Sequence, residues 1–198
     1  IFFSSHFLPV TTLSGMWGLP MIQDTLGLST AKSSHYILVF LLSNIAGSLV
    51  LGFYSDKVGN LKKALMINAL MRTLLFMALV PAIISRVGVS YTITIFALLG
   101  FVAGGTVPLI LKAVRAIYTP ESIGIGASFN TSLAGISTAL AQPLIGSMFV
   151  YFDSGLPGQD SHSASAYTTF IWVMAAISAT GAVAALGITP QQRSIQPR

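Results

Sequence analysis

Long apolar stretches, separated by short polar joints, set the pattern of this chain. A membrane-crossing helix needs about 20 mainly apolar residues. Six stretches have this length: residues 2–22, 36–54, 64–85, 91–114, 123–151 and 167–188. Because lipid-exposed backbone must satisfy its own hydrogen bonds, all six are predicted to be α-helices. The pattern predicts an all-α membrane protein, with six transmembrane helices over residues 1–189 and a cytoplasmic tail over residues 190–198.

The basic residues alternate between the joints. The second joint, the fourth joint and the tail together hold seven of them: Lys57, Lys62, Lys63, Lys112, Arg115, Arg193 and Arg198. The first, third and fifth joints hold two, Lys32 and Arg86. Lys and Arg accumulate in cytoplasmic loops. The second and fourth joints and the C-terminus are therefore predicted to be cytoplasmic, and the chain enters its first span from the cytoplasmic side.

Composition agrees with a membrane protein and excludes several other classes. The 198 residues are 54% hydrophobic and only 8% charged, with a mean hydropathy of +0.80, whereas soluble domains are about 25% charged. The net charge of +5 does not indicate nucleic-acid binding, because the basic residues do not form one stripe with aromatic neighbours. The absence of cysteine removes thiolate metal sites. We expect no metal, no cofactor and no nucleic-acid partner.

The second joint carries the most specific motif. Residues 52–63 read Gly-Phe-Tyr-Ser-Asp-Lys-Val-Gly-Asn-Leu-Lys-Lys. Gly52 is expected to allow close helix packing, Asp56 to end the span, and Gly59 to permit a tight turn. Lys62, with the lysine after it, would lie where anionic headgroups attract it. An ordinary basic turn between two helices is the alternative reading.

This joint resembles the conserved loop of the major facilitator superfamily, Gly-x-x-x-Asp-Arg-x-Gly-Arg-Arg. Gly52, Asp56 and Gly59 match it, and Lys57 and Lys62 supply charge where the family usually has arginine. Asn60 departs from the pattern, and lysine lacks the bidentate geometry of arginine. In the family the loop follows the second helix of each six-helix half, as it does here. Residues 15–20 and 130–146 are also similar to bacterial members.

The resemblance implies what this chain does. It would be the C-terminal half of a secondary transporter, helices seven to twelve of twelve, in the bacterial inner membrane. Its partners would be a small-molecule substrate, membrane lipid and an N-terminal half of the same polypeptide that is missing from this sequence. In the family, the loop aspartate holds the cytoplasmic gate shut across the interface between the halves. The resemblance gives that role to Asp56.

Arg72 is the one formally charged residue well inside a predicted span. An ionisable residue within the membrane is a functional-site hypothesis by default. Its long side chain could, however, extend toward the interface, and the third helix of a half is peripheral in the family. We therefore favour a structural partner or a headgroup contact over substrate binding.

Uncharged polar residues in the spans are candidates for the substrate pathway: His6, Trp17, Asn44, Asn130 and Gln142. Hydrogen bonding between helices is the alternative for each. All carboxylates lie in joints or at span ends, so a proton-coupled mechanism would need a carboxylate elsewhere in the protein, or His6. Gly100, Gly104, Gly105 and Pro108 indicate close packing or a bend in the fourth span.

Two other classes remain open. A stand-alone six-helix protein could dimerise as a half-transporter or a channel, although a chain that starts with Ile1 inside a span favours truncation. An intramembrane serine protease would use Ser128, which follows Gly126 and Ala127. A serine nucleophile needs a nearby base, and His35 and His162 are predicted on the opposite side of the membrane from His6. We therefore expect a transporter and not an enzyme.

Overall fold

The computed structural model is built from helices. It describes residues 1–57, 60–85, 87–153 and 162–187, without the side chains of residues 55 and 56, and these ranges contain no strand. The elements are α1 (Phe2–Thr12), a π-helical turn (Leu13–Trp17), α2 (Gly18–Leu26), α3 (Thr30–Lys57), α4 (Leu61–Ile84), α5 (Val89–Ile117), α6 (Ile123–Asp153) and α7 (Ala164–Leu186).

The predicted membrane fold is confirmed at the level of an all-α bundle. In the described part of the chain, the five helices α3 to α7 are each long and apolar enough to cross a membrane. The first predicted span is helical in three consecutive pieces, α1, the π-helical turn and α2. Its count as a sixth span stays a prediction. Helix α3 begins at Thr30, six residues before the predicted apolar stretch, because a helix can continue beyond the hydrocarbon into its polar flank.

Proline and glycine explain the break in the first span. Pro20 lacks an N–H group, and its ring crowds the carbonyl four residues earlier, which belongs to Met16. The helix accommodates this just before Pro20 with a wider turn, in which the N–H of Gly18 bonds to the carbonyl of Leu13. Such π-helical turns are rare in proteins, and many of those that occur lie at functional sites. Here the turn leaves Gly15 and Met16 exposed and aims Trp17 at α6.

Glycines let α3 and α5 approach each other closely. A Cβ atom added at Gly47 would overlap the backbone of Phe101, and one at Gly104 would overlap the backbone of Asn44. Gly100 meets the backbone of Phe40 in the same way. Membrane helices associate mainly through such van der Waals contact, which small residues permit. The predicted close packing of the fourth span is therefore confirmed at these glycines.

The helices are buried to very different extents. Helix α5 is the centre of the bundle. In its apolar stretch of 18 residues 61% of the residues are buried, whereas the corresponding share in α3 and α6 is only 17%. Helix α4 packs mainly on α7 and α5, and α1 packs on α6 and α7. The aromatic core includes Phe76, Phe96 and Phe170, each fully buried. The side chains of α3 and α6 thus form the open surfaces of the bundle.

The glycine contacts predict a stability difference between two similar substitutions. Gly104→Ala places a methyl group against the backbone of Asn44, so we expect a loss of about 1–3 kcal/mol from overpacking. Gly135→Ala is the matched control, because Gly135 is also inside a helix and nothing lies within 4 Å of its added Cβ. Unfolding of the purified protein in detergent measures both. Equal stability of the two variants would contradict the close approach of α3 and α5.

Candidate functional site

A polar cluster surrounds Arg72 inside the bundle. The arginine side chain is 0% exposed, so it does not reach the headgroups. Its Nη1 donates to Oδ1 of Asn68 at 3.4 Å and to Oγ1 of Thr106 at 3.3 Å, and its Nε donates to Oγ of Ser178 at 3.4 Å. These partners lie on α4, α5 and α7. The arginine therefore connects three helices, as a structural partner would.

His6 joins this cluster from the first span. Nη1 of Arg72 lies 3.0 Å from Nδ1 of His6, and the imidazole is only 4% exposed. His6, in the second turn of α1, thus meets a side chain that comes from the middle of α4, since Arg72 follows Leu61 by eleven residues and precedes Ile84 by twelve. At 1.5 Å per residue, the backbone of Arg72 is roughly 17 Å from the first residue of α4.

Trp17 and Gln142, two residues of the predicted substrate pathway, lie side by side. Nε1 of Trp17 donates to Oε1 of Gln142 at 3.2 Å, and Nε2 of Gln142 donates to Oγ1 of Thr12 at 3.0 Å. This chain of bonds ties the π-helical turn of the first span to α6. Both Trp17 and Gln142 are half-buried. Their side chains thus border the open face of the bundle and satisfy each other in this conformation.

An aromatic cluster closes the end of the bundle opposite to the second joint. Trp17 stacks on Phe149 with ring centroids 4.3 Å apart, and His162 lies 4.8 Å from Phe149. Nδ1 of His162 contacts Oδ2 of Asp153 at 2.6 Å. Stacked and tilted aromatic pairs add more to the stability of a fold than their buried area alone would give. The cluster joins the first span, α6 and the start of α7.

Asp24 strengthens the same closure. Its Oδ2 accepts a hydrogen bond from the hydroxyl of Tyr167 at 2.6 Å and another from the backbone N–H of His162 at 3.0 Å. Hydrogen bonds to an ionised group are stronger than neutral ones. Asp24 therefore anchors the end of α2 to the beginning of α7.

Asn130 lies apart from these clusters, next to cavities near the beginning of α1. Its Nδ2 donates to the carbonyl of Gly126 in its own helix at 2.7 Å. It lines a cavity of about 440 Å³ between the ends of α1, α5 and α7, and a smaller one of about 150 Å³ between α1, α5 and α6. Asn44 is half-buried on α3, where its backbone faces Gly104. The structure therefore joins only Trp17 and Gln142 among the five pathway candidates.

The second joint is described in part. Gly52 lies within α3, where an added Cβ would stand 3.7 Å from Pro108, an ordinary contact. Lys57 is exposed at the end of α3, and Lys62 is half-buried in the first turn of α4. Asn60 caps α4, its Oδ1 accepting from the N–H of Lys63 at 3.0 Å. The side chain of Asp56 and the whole of Gly59 lie outside the described residues.

Sequence reasoning did not identify the partners of Arg72 or the aromatic closure. Asn68 stands four residues before Arg72, one turn away on the same face of a helix, and that spacing was a usable signal. No sequence pattern indicated Thr106 and Ser178 as partners, because a hydroxyl in a membrane helix can bond to the backbone of its own helix. Phe149 and His162 come together only through the packing of separate helices.

An all-α bundle with five long apolar helices and a buried polar centre defines the class of multi-pass membrane proteins. A family model described as Major Facilitator Superfamily matches residues 1–198. The chain therefore belongs to the Major Facilitator Superfamily. It is an integral, multi-pass membrane protein of a family of solute transporters, which are not enzymes.

The Asp24 contact predicts unequal effects of removing two buried tyrosine hydroxyls. Tyr167→Phe removes a hydrogen bond to a carboxylate, so we expect a loss of about 1.5–3 kcal/mol. Tyr36→Phe is the control, because the hydroxyl of Tyr36 is buried and has no hydrogen-bond partner among the described residues. Thermal unfolding in detergent compares them. A loss in Tyr36→Phe as large as that in Tyr167→Phe would contradict the Asp24 anchor.

Proposed function

We propose that this chain is the C-terminal half of a secondary transporter that moves a small solute by alternating access. The observation that carries the proposal is the family match over the whole chain, in combination with the motif after the second long span. In such transporters two six-helix bundles move against each other around a site near the middle of the membrane. The first span, broken by its π-helical turn, is counted here as the sixth transmembrane helix.

The open faces of α3 and α6 support a second bundle as partner. Both helices present rows of exposed apolar side chains at helical spacing. On α3 the row is Leu38, Leu42, Ile45, Leu49 and Phe53, and on α6 it is Ile125, Phe129, Ile136, Leu140 and Leu144. We assign these rows to contact with the N-terminal half of the same polypeptide, and the outer faces of the other helices to membrane lipid.

The substrate pathway is proposed to run along the face between these two rows. Trp17 and Gln142 border it on the side of the aromatic closure, and Asn130 borders it near the cytoplasmic end. Asn44 lies on α3, and its side chain is half-buried. Such polar groups on an otherwise apolar surface fix the orientation of a small ligand. The bond between Trp17 and Gln142 would then open when either side chain turns to the solute.

The second joint is proposed as the cytoplasmic gate. Asp56, within the motif, would bind a helix N-terminus of the other half, where free N–H groups and partial positive charge favour a carboxylate. Gly52, Lys57, Gly59 and Lys62 complete this loop. The alternation of basic residues supports a cytoplasmic C-terminus, and the similarity to bacterial members supports the inner membrane.

Replacement of the gate carboxylate tests this proposal. Asp56→Asn keeps the shape of the side chain but removes its charge, so we expect a transport rate at least tenfold lower, equivalent to about 1.4 kcal/mol. Asp160→Asn in the fifth joint is the matched control. Uptake by the full-length protein in vesicles measures transport, and immunoblotting of the membrane fraction measures insertion. Wild-type uptake by Asp56→Asn would refute the gate.

Solute contact predicts a change in KM. A thermal-shift screen of the full-length protein against sugars, peptides, organic anions and drugs is expected to identify a stabilising class, because a ligand that binds the folded state raises its stability. With that solute, Asn130→Ala is expected to raise KM several-fold, and Ser128→Ala, on an exposed position two residues earlier, is expected to leave KM unchanged. Unchanged KM in Asn130→Ala would remove this residue from the pathway.

A further inference from the structure

The charge of Arg72 is not balanced within its cluster. In the described part of the chain, each of its hydrogen bonds goes to a neutral side chain: His6, Asn68, Thr106 or Ser178. Its Nη2 has no hydrogen-bond partner among the described residues. A guanidinium remains charged in proteins. A buried cation without a carboxylate partner is costly. The cluster holds this fixed positive charge next to one titratable ring, that of His6.

The contact between Arg72 and His6 sets the protonation state of the imidazole. Every nitrogen of a guanidinium donates and none accepts. Nδ1 of His6, 3.0 Å from Nη1, must therefore be the acceptor in this bond. A protonated imidazole carries hydrogen on both nitrogens and has no acceptor left. Protonated His6 is thus incompatible with this contact, both by hydrogen bonding and by repulsion between two cations.

This bond also links the first span to a rigid part of the bundle. Arg72, Asn68, Thr106 and Ser178 lie on α4, α5 and α7, and α4 packs closely on both of the other two helices. His6 is the member of the cluster contributed by α1, which contains Pro9 and leads into the π-helical turn. Loss of the bond would leave that part of the cluster intact, since Thr106 also donates to Oδ1 of Asn68 at 2.6 Å.

We propose that His6 is a proton-binding residue of this transporter and that its protonation releases α1 from Arg72. The inference rests on the proposed transport function and names its coupling ion. A proton from hydronium forms the new N–H bond at Nδ1 and leaves water, and the hydrogen bond from Arg72 breaks; no other reactant is needed. In this conformation the ring is shielded, so proton uptake requires movement of α1, and binding and movement occur together.

The surroundings of His6 bear on the direction of this response. From α4, Arg72 faces the ring as a fixed cation. The members from α5 and α7, Thr106 and Ser178, carry hydroxyl groups, and so does Ser5 on α1. From α6, Ser137 bonds to Ser4 at 3.4 Å. Among the described residues of the cluster no carboxylate offsets Arg72, so acid pH favours release and alkaline pH favours the contact.

Distance measurement between two spin labels tests the proposal without a substrate. The 198 residues contain no cysteine, so Met16→Cys and Leu74→Cys provide label sites on the first span and on α4, at positions 56% and 63% exposed. The labelled full-length protein is compared at about pH 8 and about pH 5, either side of the usual titration of histidine. We expect the distance to lengthen at pH 5 by at least ~2 Å, the scale of helix shifts in switching proteins.

Matched variants assign the response to His6. His6→Gln keeps an acceptor for Arg72 and cannot titrate, so the distance should be the same at both pH values. His35→Gln changes an exposed histidine on α3 and should respond like the parent protein. Arg72→Gln removes the fixed cation that repels protonated His6, so the distance should again be the same at both pH values. This variant replaces His6→Gln if His6→Gln does not fold.

Three results would overturn the proposal: no change with pH in the parent protein, an unchanged response in His6→Gln, or loss of the response in His35→Gln. These failures would leave the transport proposal intact, because the measurement involves no solute. Absence of uptake by the wild-type protein in vesicles would instead overturn the transport proposal and leave the pH response of His6 as measured.

Discussion

The absence of water in the hydrocarbon core of the membrane is the constraint on which this structure depends. Backbone N–H and C=O groups in that region have only each other as partners, so the described spans are helical from end to end. The same constraint acts on side chains. Arg72 donates hydrogen bonds to four other residues, on α1, α4, α5 and α7, because a guanidinium in hydrocarbon would otherwise lose its hydration without replacement.

Two kinds of contact hold the helices together under this constraint. Where apolar surfaces meet, attraction comes from close packing, and the glycines between α3 and α5 bring two backbones into contact. Where polar groups meet, they do so in closed sets: Trp17, Gln142 and Thr12 on one side, and Asp24, Tyr167 and His162 at the end of the bundle. The first span takes part in both polar sets and in the Arg72 cluster, although it is the most irregular helix. This combination suits an element that changes its contacts during transport.

The unequal burial of the spans connects the fold to the proposed mechanism. Helix α5 is fixed at the centre, and α4 and α7 form a packed pair behind it. Helices α3 and α6 remain largely open and apolar. A membrane protein does not gain hydrophobic energy by covering such faces from lipid, so shape and polar complementarity must specify the partner there. A second bundle that alternates between two contacts on these faces needs a surface of this kind.

The sequence by itself determined the class of this protein, its long apolar helices and its family, because apolar length and the spacing of Gly52, Asp56 and Gly59 are local properties of the chain. It also placed Arg72 inside a span and pointed to Gly100 and Gly104 as packing positions. Tertiary structure alone decided that His6 meets Arg72, that Trp17 reaches Gln142, and that His162 contacts Phe149 in an aromatic cluster. The residues of these three pairs are 66, 125 and 13 positions apart in the chain, respectively. No local pattern specifies them, since each depends on how helices with similar apolar surfaces are arranged around one another.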